Sequence, residues 1–173
     1  LPTFGLRSRF AVVIGSAGPD RPEGELEVDI YAAGRWLTCD DCTPHLSTFI
    51  KYLMATVAML LDDRVEERFR RPYPELSPAD NHSRLRADAK TGRSNEHWAY
   101  RFLDWGPTTD NVSAHLFISD GIASIPFSFW RPTHHDPSEL GQAFVAELPV
   151  RELIRVLHQA GWRLAEHSIA SRR

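Results

Sequence analysis

Apolar and polar positions alternate along two stretches of the chain, and each stretch is followed by a run with helical spacing. Phe10, Val12 and Ile14 alternate within RSRFAVVIG, and Leu26, Val28 and Ile30 alternate with Glu25, Glu27 and Asp29 in ELEVDIY. A period of two with charges on the other phase predicts half-buried strands. Gly15 to Gly24, rich in Gly and Pro, reads as the loop between them, and Ala33-Gly34 as a tight turn into a short strand at Arg35-Trp36-Leu37. These segments predict a small antiparallel sheet.

Leu46, Phe49, Ile50, Leu53, Val57, Leu60 and Leu61 then fall on one face at i, i+3, i+4 and i+7 spacing, which predicts an amphipathic helix. Thr43 or Cys42 is placed to cap it, and Pro44 suits its first turn. Helical pattern extends through Arg64 to Arg70, whereas ERFRRPYPELSPADN, with Pro72, Pro74 and Pro78, reads as an irregular connection. From Arg84 the period of two returns. Leu85, Ala87 and Ala89 alternate with Arg84, Arg86, Asp88 and Lys90, and Trp98, Tyr100 and Phe102 follow after Thr91-Gly92. Val112 to Ile118, an Asp120-Gly121 hairpin turn, Ile122 to Trp130 and Gln142 to Leu148 complete five expected strands. A second amphipathic helix is expected at Val150 to Glu166, thinned by Gly161. The order of elements predicts an α+β fold: a largely antiparallel sheet meander with two main helices on one face.

At 173 residues, 42% hydrophobic and 25% charged, the chain suits a single domain over 1–173. Its 20 Lys+Arg against 23 Asp+Glu leave a formal charge of −3, which gives no sequence-wide reason to bind nucleic acid or an anionic membrane. Apolar runs such as Val57 to Leu61 are too short to span a bilayer, so a cytoplasmic location is expected. Two cysteines fit a reducing compartment.

Candidate chemistry is sparse. The segment TCDDCTPH brings Cys39, Cys42 and His45 close in sequence, which admits a metal site, a redox pair or an ordinary lead into the helix. A zinc site would need further ligands from histidines such as His45, His82, His134 or His135, and the lead into the helix is the favoured reading. His134-His135-Asp136 lies between two prolines and reads as a surface loop, although paired imidazoles and a carboxylate suit a metal or acid/base role. Ser16-Ala17-Gly18 and Ser119-Asp120-Gly121 lack the glycines of a nucleophile elbow. No phosphate loop, HExxH or Rossmann fingerprint is present. No cofactor is expected. With simple strand registers, Arg84, Arg86, Asp88 and Lys90 would share a sheet face with His97, Arg101, Ser113 and His115. That face would be solvated, a cleft for a small anionic ligand, or a docking surface for another protein.

The early ELEVDIYAAGRWLTCDD leading into HLSTFIKYLMATVAMLL, and the late HLFISDGIASIPFSFWRPTHHDPSELGQAFVAELPVRELIRVLHQAG, together resemble bacterial immunity proteins of polymorphic and contact-dependent toxin systems. The resemblance covers most of the chain in outline and rests on layout, so it carries over no functional residues. It implies a non-catalytic protein whose partner is a cognate toxin; the polar sheet face read above supplies Arg84, Arg86, Asp88, Lys90, His97, Arg101 and His115 as the expected partner-facing set. The competing expectation is an enzyme or small-ligand protein using His97, Arg101 and His115, or Cys39 and Cys42 with a loop histidine.

Overall fold

The structure, a computed structural model, describes residues 1–15 and 26–170. The expected loop from Gly15 to Gly24 therefore lies, after Gly15, outside the described residues, as does Ser16-Ala17-Gly18. Strands β1 (Thr3–Leu6), β2 (Phe10–Ile14), β3 (Val28–Ala32) and β4 (Arg35–Trp36) form a four-stranded antiparallel sheet in that order. Every residue of β2 is buried, so both faces of this strand are covered.

Helix α1 (Leu46–Leu60) buries Phe49, Leu53, Val57 and Leu60 of the expected stripe, together with Thr56, whereas Leu61, also expected on that face, is exposed just past its end. Its N-cap is His45, with no side-chain capping bond, rather than Thr43 or Cys42. The CDDC stretch before it turns on Asp41, whose carboxylate accepts from the Thr43 N–H at 2.9 Å. The short α2 (Val65–Arg68) follows α1 as a separate turn of helix.

The largest departure from the expected pattern comes next. Arg84 to Lys90 is not a strand but part of α3 (Pro78–Thr91), capped by Ser77, whose hydroxyl accepts from the Asp80 N–H. Gly92 closes it with a φ of 66°, a left-handed value that glycine takes freely. Asn81, fully buried, donates to the carbonyls of Tyr73, Leu76 and Ser77 and so stitches the proline-rich connection onto the helix. Helix α4 (Glu96–Tyr100) likewise replaces most of the expected strand around Trp98, leaving only β5 (Arg101–Phe102).

Strands β6 (Val112–His115), β7 (Phe117–Ser119), β8 (Ile122–Phe129) and β9 (Phe144–Pro149) complete a second antiparallel sheet. It is not a simple meander. Strand β8 is central, pairing with β6 and β7 along one edge and with β9 along the other. Helix α5 (Val150–Ala170) starts directly at the end of β9, crosses α1, and touches β1 and β2 of the first sheet and β8 and β9 of the second. Ala123, Ile125, Phe127 and Phe129 alternate along one face of β8 and join a continuous buried cluster with Phe10, Phe49, Trp105, Leu153 and Leu157. Ser128, on the other face, is covered by α3. The α+β class stands as expected, with α3 as an added layer across the second sheet.

Candidate functional site: a basic cleft with a histidine chain behind it

Successive residues of a helix are about 100° apart, so positions two apart diverge and positions four apart share a face. Folding Arg84 to Lys90 as a helix therefore splits the expected patch. Arg84 and Asp88 form an i,i+4 ion pair at 3.0 Å, with Arg84 over the Tyr73 ring, and neither lines the cleft described next. Arg86 and Lys90 turn instead toward α4, β5 and the loop after β8. There they line a cleft of about 860 Å³ with His97, Trp98, Arg101, Ser113, Trp130 and Arg131. Four cations share this wall with one acidic side chain, Asp110, which sits 3.7 Å from Arg131, and Arg101 is also paired at 3.2 Å with Asp104, which does not line the cleft. Trp98 and Trp130 are 62% and 51% exposed, large values for indoles. The Arg101 guanidinium lies over the Trp98 ring at 5.1 Å and the Arg131 guanidinium over Trp130 at 5.6 Å. Each cation is thus held against an aromatic face.

His115 was expected on the exposed patch but is fully buried behind it, because β6 turns Ser113 and His115 to the side covered by α3. His82, on the first turns of α3, meets it Nδ1 to Nδ1 at 2.8 Å. His115 Nε2 then lies 2.8 Å from Nδ1 of His97 at the cleft wall. At the other end, His82 Nε2 is 2.9 Å from the Ser128 hydroxyl, which also accepts from the Arg86 guanidinium.

Proton positions in this chain follow from its ends. Arg86 can only donate, and the buried Ser128 hydroxyl must place its own proton on an acceptor, which is His82 Nε2. His82 then donates from Nδ1 to His115, and His115 donates from Nε2 to His97. Both inner imidazoles are neutral. Burial, followed by the Arg86 and His97 charges, pushes the His82 pKa down to about 3, and burial with His82 and His97 pushes His115 down to about 2. His97 is lowered too, by burial and then by Arg101 and Arg86. The inner pair therefore positions His97 rather than meeting a ligand.

Of the expected partner-facing residues, Arg86, Lys90, His97 and Arg101 converge, while Arg84, Asp88 and His115 do not reach the cleft. Sequence reasoning missed Trp98, Trp130 and Arg131 at the cleft and Ser128 on β8, and it considered His82 only as a zinc ligand, because the helix that places His82 was not recognised. Cys39 and Cys42 are free thiols; Cys39 faces His134 at 3.6 Å, and its thiol is pushed up to about 11 by burial and the adjacent Asp40, opposite to an activated redox thiol.

The sequence matches no protein-family model and no curated protein. Among solved structures, the fold is similar to that of CdiI from Burkholderia dolosa AUO158, with a TM-score of 0.61 at 15% identity. The likeness covers 94% of this chain and 99% of that chain, and it establishes a shared fold. No helix among the described residues is long and apolar enough to cross a membrane.

Proposed function

We propose that the chain is an immunity protein that neutralises a cognate bacterial toxin by direct binding, without turnover, in the cytoplasm, and that the basic cleft is its docking face. The observation that carries this reading is the pairing of Arg101 with Trp98 and of Arg131 with Trp130 around one concavity. Tryptophan and arginine are the residues most enriched among those that dominate protein interfaces. The fold shared with CdiI, a contact-dependent inhibition immunity protein, supports it by analogy. Arg86, Lys90, Arg101 and Arg131 suit an acidic patch on the toxin, because complementary charge steers encounter and fixes register.

The test is co-expression of the tagged chain with the toxin domain encoded beside it, scored by co-purification and by growth rescue. A stable complex with rescue is expected, and the Trp98→Ala/Trp130→Ala double variant should lose both while keeping its far-ultraviolet spectrum. Absence of both complex and rescue for the wild-type chain refutes the reading.

A further inference from the structure

Two segments that stand 95 residues apart in sequence meet beside the cleft. Cys39, after β4 of the first sheet, and His134 and His135, after β8 of the second, place one ligand atom each within 4.8 Å of one another. We propose that these three side chains form a zinc site, with the fourth position of the tetrahedron left to water or to an incoming group.

The separation of the first pair is one that a bound ion would set. Zinc bonds of about 2.3 Å to sulfur and about 2.0–2.1 Å to nitrogen, at the tetrahedral angle, set the two ligand atoms about 3.6 Å apart. Cys39 Sγ and His134 Nδ1 are 3.6 Å apart. A thiolate with imidazoles is also the donor set that zinc favours over magnesium or calcium, which take oxygen.

The surroundings fix these ligands from behind. His134 is 3% exposed and lies flat on Phe129, ring centroids 3.9 Å apart. Its Nε2 is 3.0 Å from the Glu139 carboxylate, and Glu139 is held in turn by Arg35 at 3.1 Å. A carboxylate can only accept, so the Nε2 proton stays on that side and the Nδ1 lone pair faces the sulfur. Carboxylate, histidine and metal in line is the arrangement that orients zinc-bound imidazoles. Asn111, buried, donates from Nδ2 to Cys39 Sγ at 3.4 Å, which favours the thiolate, while the Asp40 carboxylate, 3.7 Å from the sulfur, accepts from the thiol as long as no ion is bound. The loop is braced by Asp136, whose carboxylate accepts from the Ser138 N–H and hydroxyl. His135 alone of the three is exposed, its ring tilted against Trp36, and one of its ring nitrogens already lies within 4.8 Å of the other two ligand atoms.

Cobalt titration of the chelator-stripped full chain under reducing conditions tests the site. One equivalent should bind with the intense visible bands of four-coordinate cobalt and a near-ultraviolet thiolate charge-transfer band, and zinc should displace it. Cys39→Ser should abolish the charge-transfer band, whereas Cys42→Ser should keep it. His135→Ala, at an exposed position, should weaken cobalt at least about 10-fold without changing the metal-free unfolding midpoint, and Glu139→Gln should weaken it about 10-fold. No charge-transfer band in the wild-type chain means that Cys39 and His134 share only a thiol hydrogen bond, and the proposal falls. It falls equally if His135→Ala binds as the wild type does, or if Cys42 rather than Cys39 carries the band. None of these readouts involves a toxin, so the outcome is independent of the docking function.

Discussion

Nδ1 of His82 faces Nδ1 of His115 across 2.8 Å in a site almost closed to water, His82 being 1% and His115 0% exposed. Two ring nitrogens so close require one proton between them, one ring donating and the other accepting. A second proton would put two like charges in contact inside the protein, the costliest arrangement available to them.

Stability should therefore fall in acid. The folded pKa values, about 3 for His82 and about 2 for His115, lie below the ordinary 6.5, so between those limits the unfolded chain binds more protons than the folded one. The stabilisation is complete above about pH 6.5 and is lost as pH falls toward the folded values. Urea unfolding should show a loss of roughly 2 kcal/mol per histidine between about pH 7.5 and about pH 5. Imidazole proton resonances of these two residues should stay fixed over the same range. Resonances that titrate near pH 6.5 would contradict the buried chain.

Trp105 fastens α1 to the core of both sheets. Its Nε1–H donates to Thr56 Oγ1 at 3.1 Å, and Phe10, Phe49 and Phe102 meet its ring edge-on with centroids 6.4, 6.0 and 5.8 Å away. Trp105→Phe loses the donor and part of the ring, which should cost about 2–3 kcal/mol, and Trp105→Ala about 3–5 kcal/mol. Equilibrium denaturation of the two variants measures both values, and near-neutral substitution would refute this role.

Gly5 and Gly34 separate two ways of needing glycine. Both have positive φ, 86° and 77°. A Cβ on Gly5 would sit 2.2 Å from the Phe10 carbonyl oxygen and 2.9 Å from Val156 of α5, whereas a Cβ on Gly34 would meet nothing within 4 Å. Gly34→Ala should cost about 1 kcal/mol, the backbone strain alone, and Gly5→Ala clearly more, about 2 kcal/mol or above. Melting curves that rank the two equally would show that β1 moves off α5 without cost.

Charge reversal in the cleft should act on association rather than on folding. Under the proposed docking function, Lys90→Glu with Arg101→Glu should lower the on-rate of a cognate toxin and flatten its dependence on salt, with a smaller change in off-rate. Stopped-flow association at several ionic strengths reads this directly. An unchanged on-rate would place the docking face elsewhere.

The elements that were legible in the sequence are those whose buried face is apolar. Helix α1 shows its stripe from Phe49 to Leu60, α5 shows Leu153 and Leu157, and Asp120-Gly121 marks the hairpin between β7 and β8. Helix α3 was misread because it buries Asn81, His82 and Asp88 with Leu85 as its one apolar member, so no apolar period of 3.6 was there to find. Its termini were written plainly: Ser77-Pro78 with Asp80 at one end and Gly92 at the other. That misreading hid His82 and put His115 on an exposed face. Arg86, Lys90, His97 and Arg101 still converged, because the four-residue spacing of Arg86 and Lys90 suits a helix face as the even spacing suits a strand. The meeting of Cys39 with His134 had no local signal, since it depends on how the two sheets are set side by side.

The hydrogen-bonded row from Arg86 to His97 has a direction, and a single guanidinium holds it. While Arg86 donates to Ser128, every proton in the row points toward the cleft, and His97 presents Nε2–H at its wall. A carboxylate that took the place of Arg86 beside Ser128 would accept the hydroxyl proton, leaving Ser128 to accept from His82 and the row to run with the opposite polarity. His97 would then show the cleft a lone pair instead of a proton, with no histidine of the row displaced. A group arriving at one side of the wall thereby changes what the other side offers.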